Sequence, residues 1–366
     1  MLIDAIHTRT LWVADNGWDV NIIDQTRLPH ALDIVCLQNL TQATDAIRQM
    51  QVRGAPLIGV TAAYGVALAL REDASDAALN TALAQLQATR PTAINLAWAL
   101  AQMRDLLFPL APQERVAAAY REAAALAEDD VALNRRIGAQ GLALIRELHG
   151  TKGEASDTVN IMTHCNAGWL ATVDYGTALA PIYRAHEAGV QVHVWVSETR
   201  PRNQGAALTA WELSQQGVPH TVIADNAAGH LLQTGRVDMI IVGSDRTSAN
   251  GDVCNKIGTY LKALAARDNG VPFYVALPGS TIDWSLARGE DIPIEERSAA
   301  EVTAIQGQTA AGDLLEVHLT PPASPAANPG FDVTPARLVS GLITERGVCD
   351  ASREGLLGLY PERAPA

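Results

Sequence analysis

Short runs of β-forming residues alternate with helical segments after Gly150, and this alternation constrains the fold more than any other feature of the chain. Strands separated by helices at this spacing are typical of a parallel sheet with helices on both faces. Apolar runs with little alternation, such as MIIV at 239–242, fit strands that are buried on both faces. The predicted strands are 158–163, 191–197, 220–224, 237–243 and 272–277, and the predicted helices are 172–188, 206–216, 227–234 and 253–268.

The first part of the chain has a different pattern, in which a short hairpin precedes alanine- and leucine-rich segments. Asp15-Asn16-Gly17 separates two β-forming runs, and Asn-Gly is a strong hairpin signal because both residues tolerate a positive φ. In the segments that follow, apolar residues recur at helical spacing. Helices are predicted over 41–51, 55–71, 76–89, 92–107 and 113–149.

A polar stretch at 151–156 is typical of a linker or loop and suggests a domain boundary. Residues 1–150 are therefore predicted to form a mainly helical N-terminal domain with a small β-hairpin. Residues 151–366 are predicted to form a Rossmann-like catalytic domain, built on a doubly wound parallel sheet, so the fold class is α/β. Residues 319–336 are rich in proline and alanine and are predicted to be irregular.

The hydrophobic content of 48% is too high for a disordered chain. The net charge of −13 argues against a nucleic-acid partner, since binding to phosphates needs an excess of lysine and arginine. The longest uncharged run of interest, 57–70, is too short to cross a membrane. The four cysteines, Cys36, Cys165, Cys254 and Cys349, are too widely spaced for a zinc site or a disulfide framework. The N-terminus has no apolar leader, so we expect a soluble cytoplasmic protein.

In parallel sheets of this kind, ligands bind beyond the carboxyl ends of the strands, which makes three loops candidates for a binding site. The first, THCNAGW at 163–169, has Cys165 before a small-residue turn that we expect to enter a helix. A helix N-terminus would lower the pKa of the thiol, whereas an apolar pocket would raise it; alternatively, Cys165 is a small packing residue. His164 is a candidate base, although a lone histidine is more often structural.

The second loop, SETRPRNQG at 197–205, is rich in hydrogen-bond donors. Its two arginines, asparagine and glutamine suit a phosphate group or sugar hydroxyls. The alternative is a solvated polar loop in which Glu198 pairs with Arg200.

The third loop follows the strand that ends at Val242 and contains Asp245. A partly desolvated aspartate at this place has a raised pKa and suits a general acid, unless it pairs with Arg246 or caps a helix. Residues 250–256 are expected to lead into a helix whose N–H groups, together with Lys256, are available to an anion.

Two segments of the first part add cations. RGAPLIG at 53–59 brings Arg53 to a predicted helix start, where N–H groups and a guanidinium suit a phosphate. Arg90, before Pro91, fits either a substrate contact across a cleft or an exposed helix terminus. The sequence has no nucleotide fingerprint and no metal-ligand cluster, so we expect no cofactor and no metal. The residues alone indicate an α/β enzyme for a small phosphorylated ligand, but they do not name its reaction.

Several long segments, in the same order, resemble the methylthioribose-1-phosphate isomerase family, whose members act in methionine salvage. The resemblance runs from IIDQTRLP at 22–29 to GLITERG at 341–347. The matching segments are RGAPLIG (53–59), RPTAINLAWAL (90–100), THCNAGWLAT (163–172), ETRPRNQGAALTAWEL (198–213), SDRTSANGDVCNKIGTY (244–260), PFYVALPGSTID (272–283) and IPIEER (292–297).

The resemblance implies a cofactor-independent conversion of 5-methylthioribose 1-phosphate into 5-methylthioribulose 1-phosphate, by acid-assisted ring opening and hydrogen transfer from C2 to C1. It also implies a homodimer. Asp245 corresponds to the acid, and Cys165 to its catalytic partner, either a base at C2 or a group that supports a hydride shift. The substrate-binding residues that it implies are Arg53, Gly54, Ala55, Arg90, Gln204, Asn255 and Lys256.

The chain departs from the family pattern at a few positions, none of which has an assigned role. Trp169 stands where a small residue is common, Ala207 where an arginine is usual, and Ser244 where an alanine is usual. In PFYVALPGSTID, LPGST replaces the usual APTST. Trp169 follows the Cys165 loop, so we expect it to alter the pocket for the 5-substituent. This leaves 5-deoxyribose 1-phosphate as an additional substrate.

Two relatives of this fold are alternatives. A ribose-1,5-bisphosphate isomerase needs extra cations near C5, for which the 27 lysines and arginines leave little room. A regulatory subunit of the eukaryotic initiation-factor exchange complex catalyses nothing. It has no need of a cysteine and an aspartate at two strand ends, and this chain has both, in Cys165 and Asp245.

Overall fold

The computed structural model describes residues 1–152 and 157–364, and its first part opens with small antiparallel sheets. The strands are β1 (Leu2–Ile3), β2 (Ile6–His7), β3 (Leu11–Val13), β4 (Val20–Ile23) and β5 (Ile34–Leu37). The predicted hairpin joins β3 to β4, and β5 completes a three-stranded sheet. Asn16 accepts the N–H groups of Trp18 and Asp19 at 2.9 Å, and Gly17 has a φ of +76°, so the Asn-Gly turn forms as predicted.

Five helices follow, each close to its predicted position: α1 (Leu40–Arg48), α2 (Ala55–Glu72), α3 (Asp76–Gln87), α4 (Ile94–Leu107) and α5 (Pro112–Thr151). The first sixteen residues of α2 carry no charge, and the helix is buried along nearly its whole length. It lies at the centre of a core that includes the three-stranded sheet and all the other helices. Gly54 precedes α2, and Pro56 lies in its first turn, where its missing N–H leaves no hydrogen bond unmade.

A seven-stranded sheet is the centre of the second part, and all its strands except the last are parallel. The strands are β6 (Val159–His164), β7 (Val192–Ser197), β8 (His220–Ile223), β9 (Met239–Val242), β12 (Phe273–Ala276), β17 (Gly341–Thr344) and β18 (Gly347–Cys349). Their order across the sheet is β8-β7-β6-β9-β12-β17-β18. The chain order reverses at the β6–β9 pair, and ligands of such sheets bind in the crevice outside this point.

Helices cover both faces of the seven-stranded sheet. One face packs against the second half of α5, α6 (Ala180–Glu187) and α7 (Ala210–Gln215). The other packs against α8 (Ala227–Gln233), α9 (Thr259–Asp268) and α11 (Arg353–Leu359). The five predicted strands are all present, and the prediction of a mixed α/β fold with a large parallel sheet and a helical part is confirmed.

A smaller sheet next to the main one contradicts the prediction of a helix over 253–268. Val253–Lys256 is a strand that pairs with its neighbours on both sides, and the helix begins only at Thr259. The carboxylate of Asp332 accepts the N–H groups of Gly258 at 2.7 Å and Tyr260 at 3.1 Å, which fixes the helix start. The elements of this region are β10 (Arg246–Ser248), β11 (Val253–Lys256), β13 (Ile282–Asp283), α10 (Ala300–Thr303), β14 (Ala304–Gln308), β15 (Leu314–His318) and β16 (Phe331–Thr334).

Three other predicted segments need correction. The helix predicted over 172–188 exists only as α6, because Thr172 and the residues after it form a loop in which Thr172 Oγ1 donates to Asp174 O at 2.9 Å. In 206–216, a π-helical turn at Gly205–Thr209 precedes α7. The proline-rich stretch 319–336 contains β16. The predicted linker at 151–156 overlaps the end of α5, and its residues 153–156 lie outside the described residues.

Helix α5 contributes to the cores of both parts. Its first half packs with α2, whereas its second half, from Ile137, packs against the main sheet. Gly141 lets it approach α6 closely, since a Cβ at this position would lie 2.3 Å from Cγ of Pro181.

The division into two domains at residue 150 stays a prediction. In the part of the chain that the structure describes, no helix has the length and apolar character needed to cross a membrane.

Candidate active site

A cavity opens beyond the carboxyl ends of β6 and β9 and reaches the first turn of α2. It lies at the point where the strand order reverses, as expected for this kind of sheet. Every site residue predicted above lines it: Arg53, Gly54, Ala55, Arg90, Cys165, Gln204, Asp245, Asn255 and Lys256. Residues far apart in the sequence are thus brought together.

Cys165 follows β6 directly and is buried. Its N–H donates to Thr199 Oγ1 at 2.8 Å, and its thiol donates to Gln204 Oε1 at 3.3 Å. No helix begins after it, since the loop contains only a 3₁₀ turn at Trp169–Ala171, so the expected helix N-terminus is wrong. Burial raises the pKa of the thiol, and the positive charges of Arg53 and Lys256 only partly oppose this. The protonated thiol is therefore favoured.

Asp245 follows β9 and is partly buried at the cavity wall. Its carboxylate makes no hydrogen bond to any described residue, and its N–H donates to Cys254 O at 3.0 Å. The alternative pairing with Arg246 is wrong, since Arg246 lies 3.3 Å from the carboxylate of Asp283. Burial raises the pKa of Asp245 against the opposing charges of Lys256 and Arg53. An unpaired carboxyl group with a raised pKa can donate a proton into the cavity.

The start of α2 is pressed against the loop after Cys165. Gly54 has a φ of +95°, and a Cβ there would lie 2.5 Å from the Cα of Ala171. The buried guanidinium of Arg53 donates to Asn166 Oδ1 and, at 2.6 Å, to Asn166 O. The cavity therefore receives a guanidinium and the first turn of a helix from the same segment, and N–H groups in such a turn lack intrahelical partners.

Strand β11 supplies the next two predicted residues. Lys256 Nζ donates to Gly330 O at 2.9 Å and lies 4.5 Å from the ring centre of Phe331. Burial lowers the pKa of Lys256, while the proximity of Cys165 and Asp245 opposes this. Asn255 Nδ2 donates to Thr259 Oγ1 at 3.0 Å. Both residues thus reach the cavity from a strand rather than from the predicted helix start.

Arg90 is an ion-paired residue of the cavity rather than an exposed helix terminus. Its Nη2 lies 2.7 Å from Glu295 Oε2, and Glu295 also pairs with Arg297 at 2.8 Å. Burial raises the pKa of Glu295, but the two arginines outweigh it and the net shift is downward. Glu295 lies in IPIEER, to which sequence reasoning assigned no role.

His164 lines the cavity, but it is buried and both of its ring nitrogens face protein groups. Its Nε2 lies 2.8 Å from Ile257 O, and its Nδ1 lies 3.3 Å from Thr199 Oγ1. Burial lowers the pKa of His164 to about 3, so the ring is neutral. This favours the structural interpretation of His164.

Trp169 lies in the core and not in the cavity, which contradicts the expectation that it alters the pocket. It is fully buried, and its ring centre lies 6.0 Å from that of Trp211. Ala207 lines a neighbouring cavity, which shares Arg53 and Gln204 with the first. Ser244 Oγ lies 2.9 Å from Thr247 Oγ1.

Two buried residues escaped sequence reasoning: Asn166, which lines the cavity, and Glu212, which does not. Asn166 Nδ2 and Glu212 Oε1 form a hydrogen bond, and Glu212 Oε2 also accepts the N–H of Trp169 at 2.8 Å. Glu212 lies on α7, within the segment that also carries Gln204. A glutamate in an otherwise apolar helical stretch is the only sequence signal that marks it. Among residues 1–152 and 157–364, no group of three or more His, Cys, Asp or Glu side chains is arranged to hold a metal ion.

The sheet order and the cavity at the strand reversal define an α/β ligand-binding fold with an acid and a thiol in its site. Residues 51–351 match the Initiation factor 2 subunit family. The chain belongs to this family and, within it, to the isomerases.

The similar proteins carry one repeated name. The chain is 63% identical to the methylthioribose-1-phosphate isomerase of Rhodospirillum rubrum, over all of this chain and 95% of that protein. It is 64% identical to the protein of the same name from Methylorubrum populi, over the full length of both.

Solved structures agree on the fold and differ in name. The 5-methylthioribose 1-phosphate isomerase of Pyrococcus horikoshii is 39% identical, with a TM-score of 0.82 over 97% of this chain and 96% of that one. A protein described as translation initiation factor eIF-2B, subunit delta, from A. fulgidus is 37% identical, with a TM-score of 0.79 over 97% of this chain and 100% of that one.

Proposed function

We propose that the protein converts 5-methylthioribose 1-phosphate into 5-methylthioribulose 1-phosphate, without a cofactor, as a step of methionine salvage. The observation that carries the proposal is the meeting of Cys165 and Asp245, from the ends of two parallel strands, in one cavity with Arg53 and Lys256. An acid, a thiol and two buried cations suit a phosphorylated sugar. The protein acts as a homodimer, as its resemblance to the isomerase family implies.

Ring opening is the first step. Because the phosphate is bonded to the anomeric oxygen, the sugar cannot open to a free aldehyde as an ordinary aldose does. Asp245, in its protonated form, donates its proton to the ring oxygen as the bond from C1 to that oxygen breaks, and C1 is left electron-deficient. Burial raises the pKa of Asp245, which increases the share of the carboxyl group that carries a proton.

Hydrogen then moves from C2 to C1 by one of two routes. In the first, the hydrogen of C2 shifts to C1 with its electron pair, and the hydroxyl group on C2 loses its proton to the Asp245 carboxylate to become the ketone. In the second, the thiolate of Cys165 takes the proton from C2 to form an enediol that still carries the phosphate on its C1 oxygen. The Cys165 thiol then protonates C1, and the hydroxyl group on C2 loses its proton to the Asp245 carboxylate. The raised pKa of Cys165 makes the thiolate scarce, which favours the first route without excluding the second.

The remaining predicted residues bind the substrate. Arg53, the N–H groups at Gly54 and Ala55, and Lys256 suit the phosphate, because they combine positive charge with donors from a helix start. Three other binding residues suit the sugar hydroxyls or the far side of the phosphate: Gln204, Asn255 and Arg90.

Three alternatives remain as outcomes of the same test. The sugar is 5-deoxyribose 1-phosphate or ribose 1,5-bisphosphate, or the chain is a non-catalytic subunit, which the likeness to the A. fulgidus initiation factor favours. The binding role does not by itself account for an unpaired, partly buried Asp245 beside a buried thiol.

The test is turnover of methylthioribose 1-phosphate in deuterated water by the wild-type protein, Cys165→Ala and Asp245→Asn. We expect wild-type activity and a loss of about 100-fold or more in each variant, because each lacks a group that moves or supports a proton. Circular dichroism of the variants checks that they fold. Deuterium at C1 of the product would favour the enediol route, and its absence a hydride shift or a shielded base.

The controls are the two other sugars with the same preparations. If the wild type converts only one of them, the proposed substrate is wrong while the reaction class stands. If it converts none of the three, the proposed function is wrong and a binding role is favoured.

A further inference from the structure

Glu212 is a fully buried acid that no cation among the described residues contacts directly. Its Oε1 accepts from Asn166 Nδ2, and its Oε2 accepts the N–H of Trp169 at 2.8 Å and the hydroxyl of Tyr183 at 2.7 Å. Burying a carboxylate is costly unless donors converge on it, and here three do. Burial raises the pKa of Glu212 to about 7 against these donors.

The loop after Cys165 is shaped around this carboxylate. Gly168 lies so close that a Cβ there would be 2.0 Å from Oε2 of Glu212. The loop therefore leaves room for the carboxylate and little else. The loop and the helix α7 are joined at this point by side-chain contacts that the reaction itself does not use.

The Asn166 amide has only one orientation that satisfies its neighbours. Its Nδ2 meets Glu212 and, at 3.1 Å, Thr209 Oγ1, whose own hydrogen is donated to Cys165 O at 2.7 Å. Thr209 Oγ1 and the ionised carboxylate of Glu212 are thus both acceptors, so the NH₂ end of the amide faces them. The oxygen end must then face Arg53, which donates to it. If the amide turned over, its NH₂ group would face the guanidinium, donor against donor.

Thr209 extends this connection to the thiol. It ends the π-helical turn that begins one residue after Gln204, the acceptor of the Cys165 thiol. Such turns inside helices occur often at functional sites. Cys165 itself has a φ of +63°, an uncommon conformation for a residue with a side chain, and its carbonyl and N–H groups are both held by threonine hydroxyls.

We propose that Glu212 is a positioning residue, which sets the orientation of the Asn166 amide and thereby holds the Arg53 guanidinium in place at the cavity. The inference rests on the proposed function only for the substrate used in its kinetic test. Glu212 does not line the cavity and touches no reacting atom.

The kinetic test is Glu212→Gln, with Tyr183→Phe as the matched control. A glutamine side chain has one oxygen and one NH₂ group, whereas the carboxylate accepts hydrogen bonds at both of its oxygens. If the glutamine oxygen accepts from Trp169 and Tyr183, its NH₂ group faces Asn166. Asn166 must then turn its oxygen towards this NH₂ group and its own NH₂ group towards Arg53. Tyr183→Phe removes a donor to the same carboxylate and leaves the Asn166 contact intact. We expect KM for methylthioribose 1-phosphate to rise about tenfold in Glu212→Gln, with a smaller change in kcat, and to stay within about threefold in Tyr183→Phe.

A double-mutant cycle separates positioning from simple destabilisation. In an Arg53→Ala background, we expect Glu212→Gln to raise KM no further, because the guanidinium through which it acts is gone. If Glu212→Gln raises KM by the same factor in both backgrounds, or lowers only the melting temperature, Glu212 has a structural role and the inference is wrong.

A second readout needs no substrate. Arg53 lowers the pKa of the Cys165 thiol, so a displaced guanidinium must slow alkylation of Cys165 by iodoacetamide at a fixed pH. With peptide mass spectrometry to isolate Cys165, we expect the rate in Glu212→Gln to fall as it does in Arg53→Ala, and to fall no further in the double variant. A Glu212→Gln rate equal to the wild-type rate would overturn the inference. If the wild type fails to turn over the sugar, only the proposed function fails, and alkylation still decides the role of Glu212.

Discussion

At the scale of single residues, the pKa values of Asp245 and Glu212 shift in the same direction, but the two acids have different surroundings. Burial raises the pKa of both Asp245 and Glu212. Asp245 faces the cavity, and its carboxylate has no hydrogen-bond partner among the described residues, whereas Glu212 accepts three hydrogen bonds in the core. Access to the cavity, rather than the pKa alone, separates a proton donor from a positioning residue.

Gly54 offers a residue-scale prediction, because its positive φ and its contact with Ala171 exclude a side chain. We expect Gly54→Ala to lower the free energy of unfolding by about 2 kcal/mol, from backbone strain and overpacking together. We also expect a loss of kcat/KM, because the substitution would displace the first turn of α2, which lines the cavity. Urea unfolding and turnover measurements check both effects.

The matched control is Gly17→Ala in the hairpin turn. Gly17 also has a positive φ, of +76°, but a Cβ there meets no atom within 4 Å. We expect it to cost about 1 kcal/mol and to leave turnover unchanged. Equal losses of stability in the two variants would show that the contact with Ala171 contributes nothing.

Three of the cavity residues are predictable from the sequence pattern because they lie after strands or before a helix, whereas Asn255 comes only from the resemblance to the isomerase family. Cys165 and Asp245 follow apolar runs, and Arg53 precedes one. Glu212 and Glu295 were missed because their partners lie 46 and 205 residues away along the chain, Asn166 and Arg90 respectively. Periodicity reports local structure and not long-range pairing. The roles of the cavity residues stay predictions.

At the scale of elements, the sequence predicted where strands and helices occur better than where they begin. Val253–Lys256 was assigned to a helix because a short apolar run looks alike in a buried strand and in a helix. What decides between strand and helix is hydrogen bonding to β10 and β16, from residues up to 81 positions away. The cap that Asp332 places on α9 is likewise supplied from a distant segment.

The contact between α5 and α6 gives an element-scale prediction. A side chain at Gly141 would collide with Pro181, so we expect Gly141→Ala to lower the free energy of unfolding by about 1–3 kcal/mol. Gly150→Ala, near the end of the same helix, meets no atom within 4 Å. We expect it to stabilise by up to about 1 kcal/mol, since alanine favours a helix over glycine. Thermal unfolding of both variants is the measurement, and a stabilising Gly141→Ala would contradict the assigned contact.

At the scale of the whole molecule, a buried acid links α5 to the loop after the site and makes stability depend on pH. Asp130 accepts the N–H of Val173 at 2.7 Å, and burial raises its pKa to about 7. An unfolded aspartate has a pKa of about 4. The folded state therefore holds the extra proton between these values, and its stabilising contribution is lost as the pH rises from about 4 to about 7.

Asp130→Asn should flatten this dependence, because asparagine keeps an acceptor for Val173 and has no proton to lose. We expect the difference in unfolding free energy between pH 5 and pH 8 to shrink by about 1 kcal/mol or more relative to the wild type. Asp129→Asn, at the neighbouring exposed position, is the control and should change nothing. An unaltered pH profile in Asp130→Asn would show that this group does not titrate in the range.

Because α5 is shared between two cores, the chain is expected to melt as one cooperative unit despite its two kinds of architecture. A break between residues 150 and 157 would leave α5 on the first fragment and strip an apolar face of the main sheet on the second. Neither fragment would then keep the cavity, whose walls come from α2 on one side and from β6 and β9 on the other. A change that loosens the helical part therefore also reaches the Cys165 loop, so catalysis and global unfolding are expected to share the same thermal limit.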